Sequence, residues 1–184
     1  LAVATHSGFE RMMAGKSIAL VDTGKPPNPP FDGVAHAGTL SFEFSVAKHR
    51  IIVNCGHRPG ADWSQASRAT AAHSTVTVGN TNSSQISGDG VAAGPMAVNV
   101  HRKEDEGNLW LDLEHDGYVA RSGLYHRRRL YLSADGGQLR GEDVIEGART
   151  EGRVGLPITA RFHLHPDVHA SHTSDGALLK LGNG

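Results

Sequence analysis

The sequence is short of cysteine, of aromatic rings and of long apolar runs, and each shortage excludes something. A single cysteine, Cys55, forms no internal disulfide and rules out a zinc site built mainly from thiolates. One thiol is at home in cytosol or periplasm alike, so the redox compartment stays open. No stretch approaches the roughly 20 apolar residues of a bilayer-spanning helix, so no membrane partner is expected. Lys plus Arg is 18 against 19 Asp plus Glu, and a formal net charge of −1 lacks the basic excess of a general nucleic-acid binder. Helical signal is scarce too: no window of roughly 11 residues carries an apolar stripe of 3.6-residue period. The first residue is Leu1, followed by neither a basic n-region nor an apolar h-region. The chain reads as an internal fragment or a processed product.

What is present is enough for a core. Hydrophobic residues make up 38% of 184, the size of a single domain. Glycine is abundant at 23, which with few runs of good helix formers points to many short strands and turns. Histidine stands at 12, which raises the expectation of a metal or acid–base site.

Period-two alternation runs through most of the chain. Leu40, Phe42, Phe44 and Val46 share one face; Leu109, Leu111 and Leu113 alternate with Trp110, Asp112 and Glu114; Leu130 and Leu132 alternate with Arg129 and Tyr131. Ile51, Ile52 and Val53 form a continuous apolar run, as in a strand covered on both sides. Asp-Gly pairs at 32–33, 116–117, 135–136 and 175–176 supply turns between these segments. Pro26-Pro27-Asn28-Pro29-Pro30 is an extended loop, residues 61–71 a loop with one helical turn, and 81–94 an exposed loop. The expected fold is all-β: ten or more antiparallel strands in a two-sheet, supersandwich-like β-sandwich spanning 1–184, with little or no helix.

Three constellations could carry chemistry. His36 precedes one strand and His73 starts another, so two imidazoles and a polar residue between them could surround one ion; two histidines hydrogen-bonded at strand ends explain the same pattern. In His126-Arg127-Arg128-Arg129 the strand period puts Arg127 and Arg129 on one face and His126 and Arg128 on the other. Arg127 and Arg129 are candidate substrate-binding forks for carboxylate or sulfate, with cross-strand pairing to Glu142, Asp143 or Glu146 as the competing account. Arg161, His163 and His165 form a third polar row; His163 and His165 are the one His-x-His pair a cupin-like metal barrel would need. Tyr118, Tyr125 and Tyr131 read as packing residues with satisfied hydroxyls.

Taken in order, His36-Ala37-Gly38-Thr39-Leu40-Ser41-Phe42-Glu43, Val53-Asn54-Cys55-Gly56, Ala72-His73-Ser74-Thr75, His115-Asp116-Gly117-Tyr118, His126 to Leu132, Arg140 to Asp143 and Arg161 to Pro166 resemble the β-sandwich part of heparinase II/III-like polysaccharide lyases. The resemblance implies an N-terminal α/α toroid elsewhere in the full-length chain, an acidic, uronate-containing polysaccharide as partner, and cleavage by β-elimination in the periplasm or outside the cell. It implies that the principal tyrosine and one histidine of that reaction come from the toroid, so this chain alone should be inactive. It carries a structural zinc site onto His36 and His73, with Asn54 where the family typically has an aspartate. Asn54 offers only a neutral carbonyl oxygen, which lowers the expected zinc affinity; Cys55 and Asp62 are alternative donors. Val34 stands where some members have a catalytic histidine, and it moves no proton. Those two departures motivate an alternative: a non-catalytic glycan-binding or scaffold sandwich.

Overall fold

A computed structural model describes residues 3–4, 6–57, 61–88, 90–147 and 155–182, without side chains at 3–4 and 61–62. In chain order the strands are β1 (Val3–Ala4), β2 (Phe9–Ala14), β3 (Ser17–Asp22), β4 (Phe42–Val46), β5 (His49–Val53), β6 (Val76–Val78), β7 (Gln85–Ser87), β8 (Gly90–Ala93), β9 (Val98–Asp105), β10 (Asn108–His115), β11 (Tyr125–Leu132), β12 (Leu139–Glu146), β13 (Ile158–Ala160), β14 (His163–Leu164), β15 (Val168–Thr173) and β16 (Gly176–Leu181). Two short helices, α1 (Ala61–Arg68) and α2 (Val119–Ser122), complete the set with a 3-10 turn at Thr70–Ala72.

The fold is the expected all-β sandwich. One sheet has the order β1-β2-β3-β4-β5-β14, the other β12-β11-β10-β9, and every strand pairing is antiparallel. Alternation makes the layers. Along β10 the odd-numbered residues 109–115 are buried and the even ones half-exposed, because successive side chains leave a strand on opposite faces. Leu109, Leu111, Leu113, Leu130 and Leu132 thus meet Met12, Ala19, Val21 and Phe42 of the facing sheet, and Leu40 just before β4, in one core. Each such burial stabilises by about 1.5–3 kcal/mol, the main force holding sheet to sheet.

Several local expectations change. Leu40, placed on a strand by its alternation, lies before β4 at φ +62°, a left-handed backbone that a branched side chain rarely adopts. Its side chain still reaches the core. Residues 61–68 make two helical turns rather than one. Ile51, Ile52 and Val53 are half-buried, since no second layer covers their outer side. The 81–94 stretch holds the β7–β8 hairpin, with Ser83 and Ser84 buried. Ser83 sinks because its N–H donates to Thr70 Oγ1 and its hydroxyl to the Ala37 carbonyl, bonds that hydropathy does not reveal. His163 and His165 diverge, to the Ala71 carbonyl and to Arg50, so no cupin-like centre forms from them.

Candidate functional site

The site lies where the loop before β4, the end of β5 and the start of the 73–78 segment converge. Arg68, almost fully buried, fixes that loop: Nε donates to the Ala35 carbonyl and Nη2 to those of Asp32 and Gly90. The Ala37 N–H closes on the Arg68 carbonyl. His36 is thereby held against His73. Its Nδ1 lies 3.0 Å from His73 Nε2, with ring centroids 5.0 Å apart and planes perpendicular.

The tautomers follow from the partners. His73 Nδ1–H donates to the Ala69 carbonyl at 2.8 Å, which leaves Nε2 as an acceptor for the Nδ1–H of His36. Burial lowers the His73 pKa, against the pull of Ala69. Burial, then the neighbouring His73, His57 and Arg68, lowers that of His36 to about 4. Both rings are therefore neutral near pH 7. Gly38 passes directly beneath His73; a Cβ there would stand 2.8 Å from His73 Cδ2.

Asn54 joins the same groove but is held differently. Its Oδ1 accepts the Ser74 N–H at 2.8 Å and its Nδ2 donates to Ser41 Oγ at 3.3 Å. The structure thus brings His36, Asn54 and His73 to one groove of about 420 Å³, with Val34 on its rim. Val34 is 70% exposed. Cys55 is exposed, and the Asp62 side chain lies outside the described residues.

A zinc ion would need more than this donor set supplies. Two facing imidazole nitrogens 3.0 Å apart approach the edge of roughly 3.3 Å that ~2.0–2.1 Å bonds span in a tetrahedron. Asn54 does not fit: it is neutral, and both ends of its amide are engaged with Ser74 and Ser41. Among the described residues no three His, Cys, Asp or Glu side chains group closely enough to hold a metal.

Arg127 and Arg129 lie on the outer face of β11, as the period requires, opposite to Arg128, and neither lines the groove. Arg127 grips both Asp112 oxygens, with Nε at 2.7 Å, and Arg129 pairs with Glu142 at 2.9 Å and Asp112 at 3.6 Å. Their charges are met by carboxylates of neighbouring strands.

Sequence reasoning missed two groups. Asp22 lines the groove, and burial pushes its carboxyl up to about 6 against the Gly24 N–H that lowers it. Beneath the groove lies a sealed polar chain. The Gly117 N–H donates to His115 Nδ1 at 3.0 Å, so His115 Nε2–H faces His126 Nδ1 at 3.3 Å, and His126 Nε2–H donates to Asp143 at 2.8 Å. Arg128, 1% exposed, clamps the same carboxylate through Nε and Nη2. Its Nη1 donates to the carbonyls of Leu40 (2.7 Å) and Ser74 (2.9 Å), the residues flanking Ser41 and His73. The strand period placed Arg128 and His126 inward; nothing in the spacing showed that both would be sealed.

The family model described as heparinase II/III-like, C-terminal, matches residues 1–184. The chain belongs to that family. FtsZ-localized protein C of Caulobacter vibrioides is 38% identical over 190 residues, covering 96% of this chain and 33% of its own. Among solved structures, heparan sulfate lyase HepC from Pedobacter heparinus matches with a TM-score of 0.53 at 17% identity, over 70% of this chain and 19% of that one. A mutant of HepC gives 0.52 at 17% identity, over 68% and 19%. At that identity the likeness is one of fold. The chain spans a third of the length of the curated relative and about a fifth of the lyase chains. Family membership accords with the two-sheet architecture.

Proposed function

We propose that this chain is the glycan-facing β-sandwich module of a heparinase II/III-like protein acting on acidic, uronate-containing polysaccharide. In this reading the module binds and positions the polymer, and the proton transfers of β-elimination belong to an α/α domain of the full-length chain. The observation that carries it is the groove itself: a neutral imidazole pair on its floor, Asn54 beside it and Val34 at its rim. Removing the C5 proton of a uronate needs a base within hydrogen-bond reach. Valine supplies none, and His73 has both ring nitrogens engaged, by the Ala69 carbonyl and by His36.

Unsaturated-uronate absorbance tests the reading. This chain alone should release none from uronate polymers while still binding them, and the full-length protein should release it. Strong product formation by this chain alone would overturn the division of labour.

A second reading, a non-catalytic glycan-binding or scaffold sandwich, is favoured by Val34 and Asn54 and by a relative whose name gives a location rather than a reaction. Full-length protein that binds glycan and yields no product supports it.

A further inference from the structure

The arginines singled out from the sequence are neutralised by their neighbours. Arg127, Arg128, Arg129 and Arg102 each meet a carboxylate. Arg50 does not: among the described residues its Nη2 bonds only the ring nitrogen of His165, at 2.9 Å. It stands in a cavity of about 600 Å³ between the β4–β5 turn and the start of the β15–β16 hairpin, lined by Lys48, His49, Arg50, His165, Asp167 and His169.

We propose that this cavity binds the carboxylate or sulfate groups of an acidic saccharide, with Arg50 as the principal fork. The idea rests on the acidic-glycan reading and adds a site apart from the His36–His73 groove. Lys48 and Arg50 bring two positive charges, and Lys180 lies directly across from His169 in the hairpin register. The single lining carboxylate, Asp167, faces His165 at 3.6 Å. Three imidazoles carry no negative charge in any state and offer bonds to hydroxyls and anions. A guanidinium fork matches the two oxygens of a carboxylate or sulfate. The walls are fixed by backbone bonds, from the His165 N–H to Ile51, the Val168 N–H to His165 and the Gly182 N–H to Asp167. No Phe, Tyr or Trp side chain lines the cavity, so a single-stranded nucleic acid would find only imidazoles and the guanidinium plane to stack on.

Titration calorimetry of the full chain tests this with a sulfated uronate-containing tetrasaccharide, its unsulfated counterpart and an oligothymidylate of matched charge. Arg50→Ala should weaken saccharide binding roughly tenfold, with part recovered in Arg50→Lys, while Arg129→Ala stays within about twofold. Arg50 is exposed, so the variants should keep the parent's circular dichroism. Unchanged affinity in Arg50→Ala alongside a loss in His36→Ala would overturn the cavity and leave the groove reading standing. No binding of either saccharide by the parent would overturn both. Tighter oligothymidylate binding that Arg50→Ala abolishes would overturn the choice of saccharide.

Discussion

Two histidine pairs in this molecule share almost the same ring geometry and differ in everything else. His36 and His73 meet with centroids 5.0 Å apart and planes at 90°; His115 and His126 meet at 5.2 Å and 87°. The first pair opens onto a groove, and its chain of bonds ends at a backbone carbonyl. The second is sealed, and its chain ends on a carboxylate clamped by a buried guanidinium. What an imidazole pair can do is therefore set by the terminus of its hydrogen-bond chain and by access to solvent. The open pair can exchange its shared proton for another ligand. The sealed pair has every ring nitrogen satisfied and ties together β10, β11 and β12 of one sheet.

The sharpest way to break that contrast is to remove the sealed clamp. Arg128→Met leaves a half-buried Asp143 with only His126 as its partner and takes the buried donor from the carbonyls of Leu40 and Ser74, and should cost on the order of 3–5 kcal/mol. His36→Ala should cost about 1 kcal/mol or less, since its ring is partly exposed. Denaturant melts of both variants check this, and equal losses would erase the distinction.

Acid should act next. Burial lowers the His115 pKa to about 3, with His126 and Arg128 adding to it, and burial lowers that of His126 against the pull of Asp143. An unfolded imidazole titrates near 6.5, so between there and pH 3 the unfolded chain binds the extra proton. Stability is then complete above about pH 6.5 and falls as pH drops through that window, by about 3 kcal/mol at pH 4.5 for His115. Burial alone would raise the Asp143 pKa, but bonds from His126 and Arg128 hold it well below the usual carboxylate range. Its contribution persists above about 4 and is lost at lower pH. Melts at stepped pH, repeated on His115→Gln, should show a shallower acid limb in the variant.

Smaller effects separate the open pair. Gly38→Ala pushes a methyl against the His73 ring and should cost about 1–2 kcal/mol. The histidine side-chain nitrogen resonances should move at 36 and 73 and stay in place at 115 and 126. Asn54→Asp restores an anionic oxygen beside the two imidazoles and should tighten zinc binding on the order of tenfold, read by calorimetry. Unchanged zinc binding would show that the groove is not a metal centre in waiting.

Much of the fold was legible because period-two alternation is a direct image of a half-buried strand: 109–113 and 128–132 point as their sequence says. The convergence of positions 36, 54 and 73 was legible through family motifs, not through spacing. The partners of the arginine run were half legible. Glu142 and Asp143 do receive Arg129 and Arg128, but Arg127 turned to Asp112 on the other neighbouring strand, a choice that register decides and local sequence does not. Arg128 itself lay beyond reach, because a charged residue is buried only when distant segments bring it partners. The carbonyls it needs come from positions 40 and 74.

That clamp bears on how the chain reaches its native shape. One guanidinium takes partners from before β4, from before β6 and from β12, so it is satisfied only when both sheets have closed on it. A half-assembled sandwich would bury the same cation with donors unmet, at a cost of several kcal/mol. Intermediates with one layer docked and the other adrift are thereby penalised, and the two layers should fold, and come apart, as one cooperative unit.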